Sequence, residues 1–222
     1  MQSGDRQVSQ ALSGVAKSAE AWDAEFRSGK YRFLHKPMEL ARLHMIAAMI
    51  GEASARMESV EVADVGCGEG LLLPLLDPAT VSLYIALDVS AEALKGIPAS
   101  TIPTVKACVR LQDWDAKPVP LAPRITVASE VLYYDPGSVA HLVRTLEGQL
   151  PGSLVIVSCV GAHPDKPNWE ASSIRLWREL AQTGLEERER RTVADAPTGI
   201  SWDVAVYAVP PVPGEAGSLS PA

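Results

Sequence analysis

The sequence lacks clusters of basic residues and long apolar runs, and each absence excludes a class of protein. Of its 222 residues, 20 are Lys or Arg and 27 are Asp or Glu, which gives a formal net charge of −7. An acidic chain without a basic cluster argues against a surface built for nucleic acid. No run approaches the ~20 apolar residues of a membrane-spanning helix, so we expect no membrane partner.

Cysteine is also scarce. Cys67, Cys108 and Cys159 are odd in number and lie in apolar, strand-like contexts, which is typical of free thiols in a reducing compartment. No His or Cys residues have metal-ligand spacing, so no metal site is expected. The first ten residues contain no apolar signal core, and the sequence therefore predicts a cytoplasmic protein.

From residue 60 onward, strand-like and helix-like patterns alternate. Seven segments have strand patterns: 60–66, 81–88, 105–111, 124–130, 153–160, 185–193 and 201–209. The last two are close enough for a hairpin, and the run EERERR is typical of the solvated face of an edge strand. This alternation predicts an α/β fold with a single doubly wound, mostly parallel, seven-stranded sheet and an antiparallel edge.

Helices are predicted between these strands. One follows the first strand and is shortened by Pro74. Another is capped by Ser90. A third begins with Asp135 as its N-cap and Pro136 as its first residue. In the N-terminal part of the chain, Pro37 opens a helix whose apolar positions recur at helical spacing.

The length predicts one domain with additional helices at its N-terminal end. Residues 1–58 are expected to form a helical cap segment, of which residues 1–20 are mobile or loosely helical. Residues 59–208 form the α/β domain. The Pro/Gly/Ser-rich residues 209–222 are expected to be a disordered tail.

The segment ADVGCGEG (63–70) is the most specific motif of the chain. Gly66, Gly68 and Gly70 follow the first strand with GxGxG spacing. Glycine-rich turns of this kind bind nucleotide cofactors, but a dinucleotide fingerprint requires GxGxxG. A tight turn without a ligand is the alternative.

Two carboxylates in this turn indicate which cofactor it would bind. Asp64 and Glu69 would repel a pyrophosphate at the start of a helix, which disfavours a nicotinamide oxidoreductase. They suit S-adenosylmethionine, which carries a sulfonium and an ammonium but no phosphate. Asp88 ends the second strand, where an acid can bind both ribose hydroxyls. Nicotinamide enzymes also have an acid at this position, so Asp88 does not distinguish between the two cofactors, whereas the acidic turn does. A helix-capping role is the alternative for Asp88.

The segments ADVGCGEG, ALDVS (86–90) and ITVASEVLYY (125–134) resemble the class I S-adenosylmethionine-dependent methyltransferases. GKYRFL and ELAR near the N-terminus, with SEVLYY, resemble more narrowly the nodulation protein S-like group of small saccharide and natural-product methyltransferases. The resemblance covers residues 22–208. It implies a Rossmann-like fold, S-adenosylmethionine as cofactor and a small acceptor.

The resemblance also implies a role for individual residues. The methionine part of the cofactor is expected on the glycine turn: Asp64, Gly66, Cys67, Gly68 and Gly70. Asp88 would bind the ribose and Val89 would lie against the adenine. Arg42 would pair with the methionine carboxylate through a charge-assisted bond, and Tyr31 would close over the site. A solvated charge and a packing role are the alternatives for these last two.

Adenine recognition departs from the pattern of the family. After the third strand the family often has an acid that binds the adenine amino group, whereas VRLQDW (109–114) has Arg110 there. Either Gln112 or Asp113 substitutes, or the adenine is held mainly by backbone and by neighbours such as Trp114.

Candidate catalytic residues lie at the ends of strands. Methyl transfer is an in-line displacement, so the protein mainly aligns the reactants, and a base adds to the rate. Glu130 after the fourth strand could face either the sulfonium of the cofactor or the acceptor, so it is expected to bind the cofactor and is a candidate base. His163 after the fifth strand is the other candidate for a base. Tyr133 and Tyr134 are expected at the acceptor, with Tyr134 close to the chemistry, and His35 could reach it. Glu130 as a surface acid and His163 without a catalytic role are the alternatives.

We therefore expect methyl transfer to a hydroxyl or amino group of a small polar acceptor, with a sugar favoured by the resemblance alone. A methyltransferase of a non-sugar natural product is the alternative enzyme. A non-catalytic protein that binds S-adenosylmethionine is the alternative from another class. The composition is compatible with a homodimer.

Overall fold

The computed structural model describes residues 17–55, 57, 59–114, 123–135 and 137–211. Its centre is a seven-stranded sheet in the order β3-β2-β1-β4-β5-β7-β6. The strands are β1 Val60–Val65, β2 Val81–Asp88, β3 Thr104–Cys108, β4 Ile125–Ser129, β5 Leu154–Ala162, β6 Glu186–Asp195 and β7 Ile200–Ala208. Strands β1 to β5 pair in parallel, and β7 pairs antiparallel with both β5 and β6. The predicted α/β sheet with its antiparallel edge is confirmed.

Five α-helices accompany the sheet in the described residues: α1 Ala19–Arg27, α2 Pro37–Ser54, α3 Ala91–Lys95, α4 Ser138–Gln149 and α5 Pro167–Leu180. Three 3-10 turns are added at Arg32–His35, Leu73–Leu75 and Leu111–Asp113. Ser90 caps α3 as predicted, because its hydroxyl accepts from the amide of Ala93 at 3.1 Å. None of the helices in the described part of the chain is both long and apolar enough to span a bilayer.

The core lies on both faces of the sheet, because side chains alternate along each strand. In β1, Val60 and Val62 pack in one cluster with buried residues of α2. Ala63 and Val65 pack in the other cluster with residues of α4 and α5. The edge strand β6 is mostly exposed, as the charged run predicts.

Several predicted elements are wrong in detail. The segment after the glycine turn forms only the 3-10 turn Leu73–Leu75, because Pro74 has no N–H for an α-helical ladder. Strand β3 ends at Cys108, its last pairing being with Asp88, rather than at residue 111. Helix α4 begins at Ser138 after Gly137, so Asp135 is not its N-cap.

Some predicted features fall outside the described residues. These are Pro136, residues 1–16 of the loose N-terminal segment and residues 212–222 of the tail. The end of the loose segment is ordered, since α1 begins at Ala19 with Ser18 as its N-cap. The proposed division at residues 58 and 208 stays a prediction.

Candidate active site

A cavity of about 420 Å³ lies at the carboxyl ends of the parallel strands. Parallel α/β sheets place their ligand sites at this edge, and the volume is within the usual range for small-molecule sites. The glycine turn, the ends of β2, β4 and β5, the segment after β3 and helices α1 and α2 all contribute to its wall. Helices α1 and α2 and the sheet therefore share one site.

Aromatic side chains dominate the cavity wall. Apart from Trp114, Trp177, Tyr84 and Tyr207, every aromatic ring of the chain lines it: Trp22, Phe26, Tyr31, Phe33, Tyr133, Tyr134, Trp169 and Trp202. Many of these rings contact one another, as in the edge-on pair of Trp22 and Tyr134 with centroids 5.1 Å apart. The cavity therefore presents flat apolar surfaces among a few polar groups.

The glycine turn after β1 has a backbone that only glycine adopts without strain. Gly66, Gly68 and Gly70 have φ angles of 71°, 55° and 67°. A Cβ atom on Gly66 would also come within 2.4 Å of a methyl carbon of Val131. Gly66, Cys67 and Gly68 line the cavity, so a ligand can approach the backbone of the turn closely.

Asp88 braces this turn from the neighbouring strand. Its Oδ2 accepts from the amide of Gly68 at 2.8 Å, and its Oδ1 accepts from the amide of Ser90 at 2.8 Å. Burial raises the pKa of Asp88, and the backbone N–H bonds oppose that rise. Because each carboxylate oxygen has a second lone pair, Asp88 can still accept from a hydroxyl in the cavity. Val89, the next residue, also lines the wall.

Asp64 is the second buried acid at this end. Its Oδ2 accepts a hydrogen bond from the phenol of Tyr84. Burial raises the pKa of Asp64 to about 6, while the Tyr84 bond works in the opposite direction and the charge of Asp88 adds to the rise. A cation in the cavity would stabilise the ionised form of both acids.

Arg42 reaches the same cavity from helix α2. It is only 4% exposed, and its Nη1 donates to the hydroxyl of Ser129 at the end of β4. Its Nη2 lies 3.6 Å from a carboxylate oxygen of Glu39. The buried Nε makes no hydrogen bond to the described residues. The guanidinium therefore has donor capacity left for an anion.

Glu130 has the most unusual environment of the wall. It is the only described non-glycine residue with positive φ, at 57°, a strained conformation that is most common at functional sites. Its Oε2 accepts from the phenol of Tyr133 at 2.7 Å. Its Oε1 is buried without a hydrogen bond of ordinary geometry to the described chain. Burial raises the pKa of Glu130 to about 7, although Arg42 and Tyr133 lower it.

The other predicted acceptor residues also lie on this wall. Tyr134 follows Tyr133, and the two ring centroids are 4.7 Å apart. His163 follows β5, and its buried Nδ1 has no partner among the described residues. Burial, then the charge of Lys166, lowers the pKa of His163. Tyr31 covers the site from the cap and donates to Glu25 at 2.7 Å.

Five predicted residues do not line the cavity, and one of them is Gly70, the last glycine of the turn. His35 is exposed and pairs at 2.9 Å with Glu69, which itself lines the cavity. The amide nitrogen of Gln112 donates to Ser138, Asp113 is exposed, and Trp114 packs in the core with strand residues. For Gln112, Asp113 and Trp114 the physical reason is the early end of β3: the chain turns at Leu111–Asp113, so Val109, Arg110 and Leu111 reach the cavity instead.

Sequence reasoning missed several cavity residues. Ser129, Glu39 and Trp169 carry polar groups into the wall, and Asp135 was taken for a helix cap. Of these, only Ser129 had a sequence signal, because it precedes Glu130 at the end of a strand. Glu39 and Trp169 lie on helices, where no spacing marks them.

The sequence matches no protein-family model and no curated protein. Its fold does match solved structures. One is the N-methyltransferase NodS from Bradyrhizobium japonicum WM9 in complex with S-adenosyl-L-homocysteine, with a TM-score of 0.59 and 18% identity over 81% of this chain and 91% of that one. Another is magnesium protoporphyrin IX methyltransferase ChlM from Synechocystis PCC 6803 with bound SAH, with a TM-score of 0.65 and 11% identity over 86% and 97%.

The chain has the class I methyltransferase fold. The same fold also occurs in the [4+2]-cyclase SpnF, which matches with a TM-score of 0.58 and 14% identity over 76% of this chain and 82% of that one. Because identities this low establish the fold alone, the activity within the methyltransferase fold must be argued from the cavity itself.

Proposed function

We propose that the protein is an S-adenosylmethionine-dependent methyltransferase that acts on a hydroxyl or amino group of a small acceptor. The observation that carries the proposal is a single cavity that joins two kinds of wall. One wall is a glycine turn with buried Asp64, Asp88 and Arg42, and the other is the half-buried acid Glu130 among aromatic rings.

The cofactor wall fits the charges of S-adenosylmethionine. Arg42 would bind the carboxylate, for which its unbonded Nε is a ready donor. Asp64 would face the cationic part, and Asp88 would accept from the ribose hydroxyls. Gly66 and Gly68 allow the backbone to approach. When bound, the cofactor supplies an activated methyl group on a sulfonium.

Glu130 is the residue proposed to handle the proton of the acceptor. With a pKa of about 7, it can both be ionised and take a proton near neutral pH. Its hydrogen bond from Tyr133 fixes the carboxylate in one orientation. His163, whose pKa is lowered by burial, is the second candidate base because its neutral form accepts a proton.

A sugar or amino sugar is the favoured acceptor. The ring of Trp169, which lines the cavity and is only partly buried, offers a flat surface for the apolar face of a sugar, and Glu130 and His163 offer partners for its polar groups. The preference for a saccharide still comes from the resemblance in sequence, and a non-sugar natural product is the alternative. The cytoplasmic location and the homodimer stay predictions.

The first experiment is calorimetric titration with S-adenosylhomocysteine and, separately, with NADH. We expect binding of S-adenosylhomocysteine alone, weakened by Asp88→Ala. Asp77→Ala, which removes an exposed aspartate from the turn before β2, is the control. Binding of NADH instead would contradict the proposal.

A second experiment transfers a labelled methyl group to a panel of amino sugars, sugars and aromatic amines or phenols. Label on any acceptor, lost in Glu130→Gln, supports catalysis. The non-catalytic alternative is favoured if the cofactor binds tightly and no acceptor is labelled.

A further inference from the structure

Residues after β3 and β4 form a polar cluster on the cavity wall, at the end formed by Val89 and Val109. Arg110 and Asp135 both line the cavity there, and Nη1 of Arg110 donates to Oδ2 of Asp135 at 3.1 Å. The guanidinium is held on its other side, because Nη2 donates to the backbone oxygen of Lys17 at 3.1 Å. Asp135 is thus a fixed carboxylate with one oxygen paired.

The other oxygen of Asp135 is buried and accepts no hydrogen bond from the described residues. A buried carboxylate oxygen without a donor is unfavourable, so a ligand with an N–H group is the natural partner. The backbone of Asp135 is braced as well, since its carbonyl accepts from the hydroxyl of Ser138 at 2.8 Å. That hydroxyl in turn accepts from the amide nitrogen of Gln112 at 3.1 Å.

The geometry points to Asp135 as the acceptor for the 6-amino group of the cofactor's adenine, with Arg110 as its positioning residue. The inference rests on the proposed S-adenosylmethionine site. The acid that the resemblance leads one to expect after β3 is replaced by Arg110, and the carboxylate is supplied from the end of β4 instead. The pair lies next to Val89, Val109 and Leu111, which supply apolar wall for a purine.

The test compares two ligands that differ at C6 and N1 of the purine. S-Adenosylhomocysteine carries an amino donor at C6 and an unprotonated N1, whereas S-inosylhomocysteine carries an N–H at N1 and, at C6, a carbonyl acceptor that a carboxylate would repel. Affinities are measured by calorimetry on the full chain. We expect the wild type to prefer the adenosyl compound by about tenfold to a hundredfold, the range for a hydrogen bond to a charged group.

Asp135→Asn is the decisive variant because it keeps the shape of the side chain. The asparagine amide can accept from an amino group or donate to a carbonyl oxygen, so the preference should fall to within about threefold. Asp135→Ala should also remove the preference, because it lowers the affinity for the adenosyl compound. Asp113→Asn, an exposed acid nearby, should leave the preference unchanged.

The outcomes separate this inference from the proposed function. If the wild type binds the adenosyl compound but Asp135→Asn keeps the wild-type preference, Asp135 does not read the 6-position and only this inference fails. A wild type without preference overturns it as well. If the wild type binds neither ligand, the proposed cofactor is wrong and the inference fails with it.

Discussion

The phenol of Tyr133 donates a hydrogen bond across 2.7 Å to Oε2 of Glu130, three residues earlier in the chain. The contact depends on the left-handed backbone of Glu130 directly after β4. Tyr133 is buried and Glu130 is half-buried. The bond therefore orients an acid whose ionisation is already made unfavourable by desolvation. The pair therefore sets both the direction and the proton affinity of the proposed base.

Glu130→Gln should reduce kcat for methyl transfer by about 10²–10⁴-fold, the usual contribution of a positioned base. The affinity for S-adenosylhomocysteine should remain close to that of the wild type, because the amide keeps the size of the side chain. Single-turnover rates and calorimetry measure the two quantities. Glu179→Gln, exposed on α5, is the control. A kcat unchanged by Glu130→Gln would remove the catalytic role.

Tyr133→Phe should move the pH dependence of kcat to higher pH. The Tyr133 hydrogen bond lowers the pKa of Glu130, so its loss should raise the pKa above about 7 and keep the base protonated over a wider range. The acidic limb of the pH–rate profile measures this shift. Tyr207→Phe on β7 is the control and should leave the midpoint in place. A downward shift would contradict the assigned hydrogen bond.

Glu130 should also affect the pH dependence of stability. Its pKa is about 7 in the folded protein, against 4.5 ordinarily, so the folded state holds the proton more tightly. Its contribution to the free energy of unfolding is complete below about pH 4.5 and is lost as the pH rises through about 7. In urea unfolding, the free energy of unfolding of the wild type minus that of Glu130→Gln should therefore be larger at pH 5 than at pH 8. The same difference at both pH values would mean that Glu130 has no raised pKa.

Arg42→Lys should lower the affinity for S-adenosylhomocysteine by about tenfold or more, since lysine cannot reproduce the planar fork of the guanidinium. 5′-Methylthioadenosine lacks the amino acid part of the cofactor and should bind both proteins equally. Calorimetry with the two ligands makes this comparison within one variant. Equal weakening of both ligands would show that Arg42 supports the fold of the cavity rather than the carboxylate.

Asp23→Ala should loosen helix α1 from the site. Oδ1 of Asp23 accepts from the hydroxyl of Ser90 at 2.6 Å and from the amide of Glu92 at 3.0 Å, which ties α1 to the start of α3. Helix α1 places Phe26 over Gly68, so loosening it should speed the dissociation of S-adenosylhomocysteine in stopped-flow measurements. Glu20→Gln, exposed on the same helix, is the control. Unchanged dissociation would show that α1 does not gate the ligand.

The sequence by itself determined the sheet and the strand ends that carry the site. The strand-like segments placed most strands within two residues of their bounds, and strand β2 at 81–88 as found. The glycine turn, Asp88 and Glu130 could be located because each follows a buried apolar strand. Because the carboxyl ends of parallel strands meet at one edge of the sheet, these residues could also be expected to lie close together.

Only the tertiary structure decided which side chains beyond the strands reach the cavity. One early turn after Cys108 brings Arg110 to the wall and directs Gln112, Asp113 and Trp114 elsewhere. Irregular segments have no period from which the direction of a side chain can be calculated. For the same reason the sequence could not predict that His35, in the turn Arg32–His35, does not line the cavity. The left-handed backbone of Glu130 likewise has no signal in the local sequence pattern.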